Sequence, residues 1–129
     1  MLWEKVFACL AGLALFAYLT GWPLGGGVDY QTIQGKWLRV DGQYVIEIRS
    51  VADDGKMDAT YSNPKPINVS KARATRTDDT VKVSVELQDV NYPGSTYTLT
   101  YDPGEDVLEG IYYQAVQKQQ FQVRFIRIE

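Results

Sequence analysis

The chain has no histidine and one cysteine, and its 13 lysines and arginines are outnumbered by 16 aspartates and glutamates. Each shortage removes a class of chemistry. Without histidine there is no imidazole base and no Ser-His-Asp or Cys-His triad, and a catalytic role is not expected. Without a Cys/His set there is no ordinary zinc site, so neither a metal nor a cofactor is expected. An excess of acid is the wrong sign for a phosphate backbone, which makes nucleic acid an unexpected partner. Cys9 alone cannot form an intramolecular disulfide, so the fold must rest on burial and backbone pairing. At 129 residues there is room for one modest core.

Charge is also missing from Val6 through Val28, a stretch that opens with the apolar run Val6–Leu19. A secretory signal peptide and a retained transmembrane helix compete for this segment. The signal-peptide reading lacks a basic start, since Glu4 sits beside Lys5, and its best cleavage site is a weak one at Gly25-Gly26-Gly27. The anchor reading is favoured by Trp3 and Trp22, 19 residues apart, which at about 1.5 Å per residue is close to the ~30 Å hydrocarbon core. Pro23 would end the helix, and the three glycines after Leu24 would make a flexible exit. Ala8 and Gly12, and Ala17 and Gly21, are small residues four apart that suit close approach of a neighbouring helix. Cys9 is not read as a lipidation site, because a lipobox follows the hydrophobic run and Val6-Phe7-Ala8-Cys9 begins it. The expected organisation is an anchor or signal over residues 1–27 and an exported domain over 28–129. The N-terminus would be cytoplasmic and the domain extracytoplasmic, periplasmic in a bacterium, or secreted if the segment is cleaved.

From Ile33 onward the apolar pattern alternates, and turn residues recur at short intervals. Strands are expected at Gln34–Val40, Gln43–Val51, Lys56–Ser62, Val69–Thr77, Thr80–Val90, Ser95–Tyr101, Val107–Ala115 and Gln120–Ile128. The connectors between them carry Gly, Pro, Asn or Asp almost throughout, as in Asn63-Pro64-Lys65-Pro66 and Asn91-Tyr92-Pro93-Gly94. None is long enough for a crossover helix, so neighbours in sequence should pair antiparallel. The expected fold is all-β, an eight-stranded up-and-down barrel, whose closure leaves no exposed sheet edges. Alternation puts Val81, Val83, Val85 and Leu87 inside, with Tyr97, Leu99 and Tyr101 of the next strand and Ile111 and Tyr113 of the one after.

The start of this domain resembles the calycin superfamily, the avidins and lipocalins. Gly35-Lys36-Trp37 is similar to the Gly-x-Trp of their first strand, and Asp54-Gly55-Lys56-Met57 with Ala59-Thr60-Tyr61 is similar to an avidin turn and strand. The resemblance implies that Trp37 plugs one barrel end beneath an arginine of the last strand, Arg127 or alternatively Arg124. It does not extend to biotin binding. Tyr61 matches, but Arg39, Gln43 and Asn63 stand where that family has other ligand-binding residues.

A barrel of eight strands either fills itself or holds one small ligand. If a cavity exists, its candidate lining is Tyr44, Tyr61, Tyr97, Tyr101 and Tyr113, with Arg39 at the mouth to meet an anion or carboxylate. If not, the tyrosines fill the core and send their hydroxyls to the rim. Lys65, Lys71, Arg73 and Arg76 form a basic patch read as a solvated face. Asp102, Glu105 and Asp106 are read as turn chemistry and not as a calcium loop. Asn68-Val69-Ser70 is a bare glycosylation sequon. The expected function is a non-catalytic accessory subunit, its partners being lipid and the transmembrane helices of a larger complex. The alternative is a barrel that binds a small hydrophobic or aromatic ligand.

Overall fold

The structure is a computed structural model that describes residues 28–129. The helix expected over 1–27, and with it Trp3, Ala8, Gly12, Ala17, Gly21 and Trp22, lies outside the described residues. Among the described residues no helix is long and apolar enough to cross a membrane.

A 3-10 turn at Tyr30–Ile33 leads into nine strands: β1 (Gly35–Arg39), β2 (Val45–Val51), β3 (Met57–Ser62), β4 (Pro66–Ile67), β5 (Val69–Thr77), β6 (Thr80–Asp89), β7 (Tyr92–Asp102), β8 (Val107–Gln114) and β9 (Gln119–Arg127). They form one antiparallel sheet in the order β4-β3-β2-β1-β9-β8-β7-β6-β5. The first and last long strands pair, Trp37 opposite Arg127, which rolls the meander into a nearly closed barrel compatible with a calycin-like fold. The count is nine and not the expected eight, because the stretch expected as a connector between Ser62 and Val69 contains the two-residue strand β4. Asn68 turns its backbone toward β6, its carbonyl accepting from the Gln88 N–H at 3.0 Å and its N–H donating to Asp89 at 3.1 Å. Pro66–Ile67 therefore stays with β3 while Val69–Thr77 joins β6. The seam closes again only at the start of β3, where Lys56 bridges Arg73 and the Ala74 N–H donates to the Gly55 carbonyl at 2.7 Å.

The alternation of β6 places Val81, Val83, Val85 and Leu87 in the core with no exposed surface. Burial of such side chains contributes about 1.5–3 kcal/mol each. Ile46 and Ile48 of β2, Tyr97 and Leu99 of β7 and Phe125 of β9 complete the centre. In β8 the inward residues are Leu108, Gly110 and Tyr112, which corrects the expectation for Ile111 and Tyr113. Tyr112 lies opposite Tyr97, and Gly110 opposite Leu99, and that register sets the phase of the strand. Adjacent tyrosines at 112 and 113 look alike to any hydropathy pattern, so the strand alone did not declare which faced in. The β6–β7 connector is also tighter than expected. Asp89 pairs with Tyr92 around Val90-Asn91, and the displaced register is absorbed at Gly94, whose φ of +83° suits glycine.

One barrel end is closed by side chains. Ile33 and Trp37 are fully buried there, and the indole N–H donates to the Ile33 carbonyl at 3.0 Å. The Arg127 guanidinium lies 4.3 Å from the Trp37 ring centre. It donates to both Asp106 oxygens at 2.8 and 3.0 Å, to the Gln34 carbonyl at 2.6 Å and to the Thr32 carbonyl. Tyr101 packs edge-on against Trp37, and its hydroxyl donates to Asp106 at 2.8 Å. Arg124, with the opposite side-chain parity, points outward and pairs with Glu105 at 2.6 Å and Glu109 at 3.5 Å. Val28, the first described residue, lies at this closed end, where Arg76 donates to its carbonyl at 2.8 Å and covers the Tyr30 ring.

Candidate functional site

The opposite end is a mouth, framed by the β1–β2, β6–β7 and β8–β9 turns. It is a concavity of about 320 Å³ lined by Arg39, Tyr44, Asn91, Tyr92, Tyr112, Gln114, Gln117 and Phe121. A larger groove of about 850 Å³ runs beside Gly110, lined by a mixture of apolar side chains and charged ones that include Asp41, Asp79, Asp102, Glu109 and Arg124.

Arg39 is the last residue of β1, and its side chain turns into the mouth. Its Nε and Nη2 donate to the two Asp41 oxygens at 2.6 and 3.2 Å, a bidentate pair made within one hairpin turn. Its Nη1 donates to the Tyr97 hydroxyl at 2.9 Å, and that hydroxyl lies 2.8 Å from the Tyr61 hydroxyl. The guanidinium also sits 4.1 Å from the Tyr44 ring centre and 5.7 Å from that of Tyr112. Arg39, Tyr44, Tyr61 and Tyr97 are thus brought together. Tyr101 belongs to the closed end, and Tyr113 stands half-buried on the outer face.

Rings continue from core to rim. Tyr97 stacks on Tyr112 at 4.5 Å and 26°, and Tyr112 on Phe121 at 6.4 Å and 25°. Phe121 ends this ladder with 43% of its surface exposed, an unusual state for a phenylalanine whose strand parity points inward. Tyr92, half-buried, meets Tyr61 edge-on and accepts a hydrogen bond from the Asn63 amide. Asn91 and Tyr92 carry the local signature of a turn, and Tyr112 has an ambiguous strand phase, so the sequence does not mark them as site residues. The only signal for them was the crowding of aromatic and amide residues into two connectors of the same barrel end.

Electrostatics at the mouth are settled by pairing. Burial alone would lower the Arg39 pKa, but hydrogen bonds and charge interactions with Asp41 and Tyr97 outweigh it, so the guanidinium keeps its proton at every accessible pH. The hydrogen bond from Arg39 holds the Asp41 carboxyl below its usual value. Burial pushes the Tyr97 phenol up to about 12, against the opposing hydrogen bonds from Tyr61 and Arg39, and burial with Tyr97 as neighbour pushes Tyr61 up as well. Burial also raises Tyr112. An incoming carboxylate would have to displace Asp41 to reach the guanidinium fork.

Raised phenols make the fold sensitive to alkali. A tyrosine that holds its proton longer in the folded chain contributes stability that is complete below its unfolded pKa of about 10 and is lost as pH rises through the folded value. Tyr61 and Tyr97 are therefore expected to ionise only as the barrel opens. In an alkaline titration, a late fraction of tyrosinate absorbance should appear together with loss of the far-UV circular dichroism of the sheet, starting above about pH 10. Ionisation of every tyrosine with the sheet signal intact would contradict this arrangement.

Several of the other charged groups noted in the sequence have partners within the wall. Arg73 donates to the Asp54 carbonyl at 2.7 Å, and Lys71 lies opposite Glu86 across β5 and β6. Asp102 accepts from the Gly104 and Glu105 N–H groups at 2.9 and 3.3 Å, while Asp106 is held by Arg127 and Tyr101. Among the described residues no group of three or more His, Cys, Asp or Glu is placed to hold a metal ion. No protein-family model, curated protein or solved structure matches the chain.

Proposed function

We propose that the protein is a non-catalytic recognition module, a calycin-like barrel tethered by residues 1–27 as an accessory subunit of a larger extracytoplasmic membrane assembly. The observation that carries this reading is polarity. The chain enters at the plugged end, beside Val28 and Trp37, and the aromatic mouth lies at the other. A tether at the first end presents the second away from the lipid surface. In this reading the tether helix packs on transmembrane helices through Ala8, Gly12, Ala17 and Gly21, with Trp3 and Trp22 at the two interfaces.

The chemistry of the mouth supports recognition over catalysis. Arg39 is permanently charged, Asp41 is pushed further from neutrality, and Tyr61, Tyr97 and Tyr112 are all raised away from it. None of these groups would exchange a proton near pH 7, as a general acid or base must. Tyrosine, phenylalanine and arginine around a depression are instead the side chains that carry binding energy. A second reading, a small ligand held by the barrel itself, is favoured by the concave shape of the mouth and disfavoured below it, where Tyr61, Tyr97 and Phe125 fill the core.

Solubilisation of native membranes in a mild detergent tests the tethered-subunit reading. The full chain is expected to migrate far above its own mass, and a chain lacking 1–27 to leave the membrane fraction and migrate alone. A full chain that migrates alone, or that is recovered already shortened near Val28, would overturn it.

A further inference from the structure

We infer that the mouth is a saccharide site, taking one or two neutral sugar rings against Phe121. This deepens the reading of the mouth as the recognition face and rests on it.

Charge is the first constraint. Arg39 is the cation of the mouth, and two of its three nitrogens are spent on Asp41, the third on Tyr97. The pair cancels, so the site offers no net charge to an ionic ligand.

Surface character is the second. Phe121 is the outermost rung of the Tyr97–Tyr112–Phe121 ladder and leaves a large apolar face in water. Such a face is stabilised by an occupant that is itself flat and carries C–H groups on one side.

The amides are the third. Gln114 accepts from the Gln117 N–H at 2.6 Å, which leaves its NH2 donors uncommitted, and the side-chain amides of Asn91 and Gln117 make no hydrogen bond among the described residues. Each amide presents a donor and an acceptor side by side. Hydroxyl groups, which both donate and accept, satisfy such a set; a hydrocarbon does not, and it would strand the amides on binding. A ring with an apolar C–H face and a rim of hydroxyls meets all three conditions at once. At about 320 Å³ the mouth lies at the small end of ligand sites, which limits the occupant to one or two rings.

Saturation-transfer NMR on the full chain, in micelles of a zwitterionic detergent without a sugar headgroup, tests the inference with three probes: cellotriose, N-acetylchitotriose and indole. Transfer to at least one of the two saccharides is expected, with the signal strongest on ring C–H protons. Phe121→Ala is expected to weaken that binding by about tenfold or more, the loss typical of an aromatic anchor, while Phe121→Tyr preserves it. Phe121 is already half in water, so the far-UV spectrum of the alanine variant should be unchanged. No transfer to either saccharide, saccharide binding indifferent to Phe121→Ala, or preferential binding of indole would each overturn the assignment. The migration experiment on native membranes reads the tether independently, so a failed saccharide site and a failed tethered-subunit reading are told apart.

Discussion

Trp37→Ala is expected to destabilise the barrel by about 3–5 kcal/mol, the range for removing a large buried aromatic. The residue has no exposed surface. Its indole N–H satisfies the Ile33 carbonyl, its face supports the Arg127 guanidinium, and its ring receives the edge of Tyr101. Truncation leaves a void and also removes the surface on which Arg127 organises Asp106 and the carbonyls of Thr32 and Gln34. A domain of this size has a total stability of about 5–15 kcal/mol, so the variant would lose a large share of it. Urea unfolding of the full chain in detergent, followed by the circular dichroism of the sheet, measures the effect. Trp37→Phe, which keeps a ring but not the N–H, should lose less. A cost below ~1 kcal/mol for the alanine variant would show that the plug is not a structural element.

Gly110→Ala is the second large effect. An added Cβ would lie 2.0 Å from the Thr98 carbonyl oxygen and 2.9 Å from the Leu99 Cα, both backbone atoms of the paired strand β7. No side chain can rotate away to make room, so β7 and β8 must separate. Overpacking in cores typically costs 1–3 kcal/mol when side chains can adjust. With backbone as the obstacle, the loss is expected at or above about 3 kcal/mol, or roughly 12 °C or more in Tm for a domain of this size. Gly94→Ala makes the comparison. It has open space around its added Cβ and meets only the strain of its positive φ, about 1–2 kcal/mol. Thermal unfolding of the two variants should rank Gly110→Ala below Gly94→Ala, and the reverse order would remove the close β7–β8 approach as the cause.

Strand positions were legible because alternation is a local property. Val81, Val83, Val85 and Leu87 need no neighbour to declare their face, and the turn residues between strands act over a few positions only. The phase of β8 was not legible, since Tyr112 and Tyr113 are equivalent until β7 supplies a partner. The switch of the chain at Asn68 from pairing with β3 to pairing with β6 was not legible either, because it depends on hydrogen bonds to Gln88 and Asp89 about twenty positions away. The mouth was half legible. Arg39, Tyr44, Tyr61 and Tyr97 stood out as large polar residues at inward positions, but Asn91, Tyr92, Gln114 and Gln117 became part of the site only when two turns converged.

What the amino-acid order determined by itself was the class of object: a histidine-free chain with an uncharged stretch over Val6–Val28, followed by a cysteine-free run of antiparallel strands. Composition, period and turn chemistry act over a few residues and are written directly in the order of side chains. The tertiary structure alone decided which end is plugged and which is open, that Pro66–Ile67 pairs as a ninth strand, and that Arg39 is spent on Asp41 and Tyr97 instead of waiting for an anion. Those outcomes depend on register between strands far apart in the chain. Register is a property of the closed sheet and of no strand within it.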